Sequence, residues 1–326
     1  MTKHRIRRSL LALPLLALAA PAWAQGSYPS KTIRIVAPFA AGGAADTVAR
    51  IVGPKLSAAL GQPVLIENRA GAGGSIGSAQ VAASPADGYT LLMNLGPPHQ
   101  TVQLFTKGVN YDPVKDFSAI AKVAVAPQAV AVPANSPIKS MADLVAQSQA
   151  NPKGLSFGTS GAGTSQQLAG LLLTTTQKAK LTHVPYRGGS AALTDVISGQ
   201  VDLGILVLSN LLPHVQTGKL RILAVVEANR SASAPTIPTA AESGITGFSV
   251  PDTWVGLLGP AGMPAPVVQR LGAEMDKIMR DPEVVARMNQ AGYDIKFAGP
   301  ADFSRQLADS AQLYKTLTQQ AGITPE

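Results

Sequence analysis

The sequence predicts an α/β protein of two domains, with the chain crossing twice between them. Three observations carry that prediction. Short apolar runs alternate with amphipathic helical stretches, once over 32–93 and again over 155–226. The chain holds 31 glycines and 25 prolines, and only 14% of it is charged, so its connections are frequent and tight rather than long and solvated. Past residue 250 the pattern turns mostly helical with little strand of its own, so this block is expected to return to the first sheet.

Residues 32–37 read as a first strand, ended by Pro38. Gly42 and Gly43 open a helical pattern over 44–60, with Val48, Ile51, Val52, Leu56 and Leu60 on one face. A second strand at 64–68 is followed by a glycine loop from Gly71 to Gly77 and a short helix ending near Ala83. Asp87-Gly88 turns the chain into a third strand over 89–93, and the unit is expected to form a mostly parallel sheet. Apolar strands are expected at 119–125 and 129–132, and Ser140 caps a helix through Met141, Leu144 and Val145. The second set runs strand 155–158, small-residue loop 159–163, helix 164–176, strand 181–184, helix 190–198, and strands 203–207 and 220–226. A strand over 254–258, helices at 264–279 and 282–291, a short strand at 295–297 and a helix over 301–320 complete the chain. The expected division is domain 1 from 25–126 with 250–326, and domain 2 from 127–249, with crossings near 125 and 250. Such a pair leaves a cleft between the carboxyl ends of its strands.

Residues 1–24 have the three parts of a secretion signal. Lys3, His4, Arg5, Arg7 and Arg8 form a basic stretch; an uncharged run follows from Leu10 to Ala20; Ala22-Trp23-Ala24 supplies the small-x-small cleavage pattern. The apolar run is about half of the roughly 20 residues that cross a bilayer, so cleavage near Ala24 is expected rather than anchoring. With the signal removed, 23 basic residues face 19 acidic ones, no footprint for nucleic acid. The chain has no cysteine, which excludes disulfides, thiol chemistry, thiolate metal sites and a lipidated N-terminal cysteine. A free periplasmic protein is expected, by either the general or the twin-arginine route.

Two segments share one chemistry. Pro38-Phe39-Ala40-Ala41-Gly42-Gly43-Ala44-Ala45-Asp46 and Gly158-Thr159-Ser160-Gly161-Ala162-Gly163-Thr164 each lie between a strand and a helix. Small residues there let an anion approach backbone N–H groups, and the helix dipole adds a positive field. Asp46 is expected either to cap backbone donors or to face the cleft and accept a hydrogen bond from a ligand. The run from Gly71 to Gly77 imitates a dinucleotide fingerprint, but its third glycine position is Ile76, so that reading fails. Nothing recommends catalysis or metal binding: His99, His183 and His214 lack neighbouring ligands at metal spacing, Ser160 is in no Gly-x-Ser-x-Gly elbow, and no cofactor is implied. His99 is expected to line the cleft beside Asn94 or to pack, and Tyr186 and Trp254 to form an apolar wall or core.

The chain resembles the Bug family, the solute receptors of tripartite tricarboxylate transporters. The likeness rests on Ile35-Val36-Ala37-Pro38-Phe39 with Gly42, Gly43 and Asp46, and on the run from Glu67 to Gly77. It continues through Asp87-Gly88-Tyr89-Thr90, Tyr111-Asp112-Pro113, Gly161-Ala162-Gly163-Thr164, His183-Val184-Pro185-Tyr186-Arg187-Gly188, Pro235-Thr236-Ile237-Pro238 and Trp254-Val255-Gly256-Leu257. The resemblance implies a type II-like, Venus-flytrap clamp that closes on a small carboxylated solute, partly through ordered water, and docks transiently on a two-subunit, ion-driven permease. Carried over, the implied site comprises Phe39, Ala40, Gly43 and Asp46, then Ser160, Gly161, Gly163 and Thr164. Three departures stand out: Ala41 replaces a common proline, Asn94-Leu95-Gly96-Pro97-Pro98-His99 replaces a small hydroxylated loop, and Gln167 replaces a common histidine. Asn94, Leu95 and Gln167 thus join the implied site, and Leu95 with the prolines points to an apolar cargo body. The expected protein is a monomeric, non-enzymatic receptor for an organic, aromatic or amino acid. A ligand-presenting receptor for a membrane sensor kinase and a secreted hydrolase are the alternatives.

Overall fold

In the computed structural model the described residues are 28–320, 324 and 325; the expected signal and its cut near Ala24 lie outside them. The first apolar run forms β1 (Ile33–Ala37), and the pattern behind the paired glycines forms α1 (Ala44–Leu60). The five-residue apolar stripe of α1 is buried, and Gly61 ends the helix at φ 67 in the left-handed conformation that glycine adopts without cost. Next come β2 (Val64–Asn68), a 3₁₀ turn at Ala72–Gly74, α2 (Ser75–Ala82) and β3 (Thr90–Leu95). β1 pairs in parallel with both β2 and β3, as the alternating pattern requires.

The first departure from expectation follows at once. β3 runs on through Asn94 and Leu95, and the presumed loop after it is α3 (Gly96–Phe105). Pro97 and Pro98 do not end the helix, because they sit in its first turn, where a missing N–H removes no helical bond.

β4 (Phe117–Val125) ends in the first sheet and β5 (Gln128–Pro133) begins in a second one. The second lobe then runs α4 (Met141–Ala150), β6 (Leu155–Thr159), α5 (Ser165–Gln177), β7 (Leu181–Pro185), α6 (Gly189–Ser198), β8 (Leu203–Val207), α7 (Leu208–Gln216) and β9 (Leu220–Val225). Ser140 caps α4 through the Asp143 N–H as expected. α7 was not expected; Leu208, Leu211, Leu212 and Val215 carry its i, i+3, i+4, i+7 signature, which Pro213 disguises.

The chain returns through β10 (Trp254–Pro260), α8 (Ala265–Met279), α9 (Pro282–Gln290), β11 (Asp294–Ala298) and α10 (Pro300–Gln320). Sheet order is β11-β4-β10-β3-β1-β2 in one lobe and β7-β6-β8-β5-β9 in the other. Both sheets are mixed. β1, β2 and β3, and β6, β7 and β8, are parallel, whereas β10 and β5 pair antiparallel with their neighbours.

Strand alternation splits each core in two. Ile33, Ile35, Leu91 and Met93 face α1 and α8, while Val36 and Leu92 face Trp254 and Phe303 on the other side. In the second sheet Val130, Phe157 and Ile205 pack on Leu144 and Leu168, and Ala129, Ala131 and Leu206 on Ala192, Val196 and Leu211. The two crossings are bonded near their ends: the Ala126 N–H donates to the Thr253 carbonyl at 2.7 Å, and the Val226 N–H to the Gln128 carbonyl at 2.9 Å.

Candidate functional site

The six parallel strands all end at one cleft of about 900 Å³. Its walls come from the ends of β1 (Phe39 to Ala41, Gly43, Ala44), β2 (Ala70 to Gly74), β3 (Leu95, Pro98), β6 (Ser160 to Ala162, Thr164 to Gln166), β7 (Tyr186 to Ala191) and β8 (Val207, Asn210). This is where parallel α/β sheets offer backbone donors and helix N-termini to a ligand.

The expected site residues divide. Phe39, Ala40, Gly43, Leu95, Ser160, Gly161 and Thr164 line the cleft; Asp46, Asn94, Gly163 and Gln167 are not among its lining residues. Asp46 is buried and fully engaged. Its carboxylate accepts from the Gly42 N–H at 2.9 Å, the Asn68 amide at 3.0 Å and the Arg50 guanidinium at 2.9 Å. Burial opposes the charge, but the Arg50 bond, with Gly42 and Asn68, outweighs it and holds the carboxyl below its usual range. Asp46 therefore clamps the loop behind Phe39, whose own carbonyl accepts from Asn68 at 3.1 Å.

Asn94 is equally occupied. Its oxygen accepts from the Leu95 N–H at 2.8 Å, and its amide meets Ser78 Oγ at 3.0 Å and His99 Nδ1 at 3.1 Å. His99 lies in the core, not on the cleft, between Tyr111 and Phe117. The Pro113 carbonyl can only accept, so the His99 Nε2 at 3.0 Å carries the proton and Nδ1 accepts from Asn94. Burial pushes the imidazole pKa down to about 4 and keeps it neutral.

In the second lobe the Gly163 N–H donates to Gln167 Oε1 at 2.9 Å, and Thr101 of α3 donates to the Gly163 carbonyl. At φ 74, and with a Cβ there set against the Val102 backbone, Gly163 shapes the loop's contact with α3. The Ser160 N–H and hydroxyl both donate to Gln166 Oε1, at 2.7 and 2.6 Å. Trp254 is core, packed edge-on against Phe303 at 5.0 Å.

Some lining residues lay outside the expected set. The 71–74 loop enters the sequence analysis as part of the family likeness and as a failed nucleotide fingerprint, and Arg187 and Gly188 only as part of the likeness. Both put glycines before a helix, the signal already used for the other two loops. Gln128, Gln166 and Thr253 carried no sequence signal, because only the fold brings them to the cleft.

Two electrostatic features dominate. α1 and α6, one in each lobe, have Gly43 and Gly188 as N-cap residues, and no side chain caps either helix, whereas Ser140 and Asp281 cap α4 and α9. Their first-turn N–H groups are free for an anion. Among the lining residues Arg187 is the only charged one; it is exposed and has no ion pair among the described residues. Neighbouring Tyr186 donates its hydroxyl to Asp195 at 2.6 Å, and burial first, then that carboxylate, push the phenol up to about 12.

A model of the tripartite tricarboxylate transporter family receptor (TctC) matches residues 48–323. The chain belongs to this family. A protein encoded in the tcbD–tcbE intergenic region of Pseudomonas sp. (strain P51) is 39% identical over 96% of this chain and 91% of its own. Among solved structures, R. palustris Rpa4515 with adipate superposes with a TM-score of 0.86 at 30% identity, covering 92% of this chain and all of that one. MatC from Rhodopseudomonas palustris with bound malate gives 0.82 at 29% identity, covering 89% and 99%. This receptor has the two-lobed, Venus-flytrap architecture of those relatives. As a TctC/Bug receptor it binds a small carboxylate in the periplasm and delivers it to a tripartite tricarboxylate-type permease. Of the three departures, Ala41 and Leu95 face the cleft, whereas Gln167 serves the Gly163 N–H.

Proposed function

We propose that the cleft between the lobes is the cargo site and that the cargo is a carboxylate without an ammonium group. The observation that carries this reading is the lining itself, in which Arg187 is the only charge and no carboxylate appears. The nearby acids are committed elsewhere: Asp46 to Arg50, Asp195 to Tyr186. An amino acid would bring its ammonium into the cleft with no counter-charge, and an unpaired buried charge costs several kcal/mol. An anion gains Arg187 and the uncapped starts of α1 and α6. Phe39, Leu95, Pro98 and Val207 suit a hydrocarbon body, in keeping with the adipate and malate held by the two Rhodopseudomonas palustris proteins.

Calorimetric titration with matched pairs tests it: succinate against aspartate, glutarate against glutamate, adipate against 2-aminoadipate, with benzoate as an aromatic probe. Binding acids should exceed their amino counterparts by about tenfold or more, and Arg187→Met should weaken them by a similar factor. Equal affinity within the pairs would refute the charge argument. The same reading includes lobes divided as 25–126 with 250–326 and 127–249, cleavage near Ala24, a monomeric receptor, a two-subunit permease, and uptake rather than presentation to a sensor kinase.

A further inference from the structure

Gln128, the first residue of β5, stands where the cleft meets both crossings. Its carbonyl accepts from the Val226 N–H at 2.9 Å, and its N–H donates to both oxygens of Glu227, at 2.9 and 3.1 Å. Its side-chain Nε2 donates to the Thr253 hydroxyl at 2.6 Å and to the Ser165 hydroxyl. Ser165 begins α5 at the cleft, and the Thr253 carbonyl holds Ala126 of the first crossing. The amide is thus a strut from the cleft end of α5 in the second lobe to the second crossing.

The remaining polar atom is out of keeping with this network. Gln128 is 2% exposed, and its Oε1 is buried with no hydrogen-bond partner. An unpaired buried carbonyl is costly, and native proteins keep few of them without a use. Both partners of Nε2 are hydroxyls, which donate or accept equally well. The amide can therefore turn over about its last torsion and keep both bonds, now accepting through Oε1, while Nε2 takes the unpaired place as a donor.

We propose that Gln128 is a positioning residue that couples an occupied cleft to the hinge: a bound carboxylate, directly or through one water, selects the turned amide and so locks the Ser165–Gln128–Thr253 strut. The proposal rests on the cleft being the cargo site. A carboxylate meets an acceptor in one orientation and a donor in the other, so the cargo distinguishes the two states, as coupling requires. A carboxylate that accepts from Nε2 polarises the amide and so strengthens the bonds that Oε1 accepts from the Ser165 and Thr253 hydroxyls, which holds the second crossing against β5.

The test separates affinity from closure. The probe is the tightest-binding acid of the set succinate, glutarate, adipate, malate and benzoate. Titration calorimetry gives affinity, and small-angle X-ray scattering with and without saturating probe gives compaction. Gln128→Met keeps the side-chain volume but removes both polar atoms; Thr253→Val cuts only the crossing arm. Gln128→Met should bind about tenfold or more weaker and, even when saturated, fall short of wild-type compaction; Thr253→Val should show the same closure defect. Unfolding of the free variants confirms that they fold. Full compaction of both variants at saturation would overturn the coupling. If the wild type binds none of these acids, the cargo-site reading itself fails, an outcome distinct from tight binding without coupling.

Discussion

Glu227 shows how a single residue ties the crossings to solution conditions. It is buried on the Gln128 N–H with no ion pair among the described residues, and burial pushes its pKa up to about 8. Asp252 raises it further and Lys296 lowers it, while Tyr314 is a third titratable neighbour. The native state then binds more protons than the unfolded chain between about pH 4.5 and 8, so stability is greatest at the acid end and falls as pH rises through that window. Glu227→Gln keeps an acceptor for Gln128 and removes the titration. Its melting temperature should vary less with pH and exceed that of the wild type near pH 8–9, by an amount reflecting roughly 3–5 kcal/mol. A parallel pH profile would show that Glu227 stays charged. Asp46 marks the limit of legibility at this scale. The sequence offered cap or ligand group; the structure shows the cap, on the Gly42 N–H, and adds a clamp that the sequence did not offer, because its partner Asn68 comes from β2, 22 residues away. Local spacing cannot reveal such a partner. His99 was ambiguous for the same reason, since Pro113 and Tyr111 close over it only in the fold.

Elements were legible wherever periodicity was long and unbroken. The buried stripe of α1 and the parallel strands that pair with β1 follow from apolar spacing alone. α3 and α7 are harder to see, because Pro97, Pro98 and Pro213 interrupt their helical patterns, although at Pro97 and Pro98 the first turn tolerates them. Site legibility followed the same rule: loops at strand–helix junctions were visible as glycine runs, whereas Gln128 and Thr253 belong to no local pattern. Within α5, Gly170 has a reason that only packing supplies. A Cβ there would overlap the Phe157 ring of β6, so the helix lies closer to its sheet than alanine permits. Gly170→Ala gains up to about 1 kcal/mol of helix propensity but forces overpacking that costs about 1–3 kcal/mol. Urea unfolding should show a net loss, partly relieved by adding Phe157→Leu, which makes room at the same contact. Stabilisation by Gly170→Ala alone would mean that the interface relaxes freely.

At the scale of the molecule, α10 bears on whether the two lobes behave as one unit. It has 21 residues, about 30 Å of helix, and its two halves face different cores. Phe303 and Leu307 pack with Val36, Leu92 and Trp254 of the first lobe, while Tyr314 joins Phe157, Leu168 and Ile205 of the second. Phe105, at the end of α3, reaches that second core as well. A hinge made only of two crossings would let each lobe unfold independently; a helix buried in both cores links their stabilities. The receptor without cargo is therefore expected to unfold in one calorimetric transition despite its two sheets. Tyr314 is 1% exposed, and Tyr314→Ala should cost about 3–5 kcal/mol by leaving a cavity in the second core. Because Phe303 and Leu307 remain, that loss should fall on the second lobe first and split the endotherm in two. Hydrogen exchange should then show β5, β6 and β8 losing protection before β1 and β3. A single transition, shifted down but still symmetric, would place the cooperative link elsewhere, in the paired crossings at Ala126–Thr253 and Gln128–Val226.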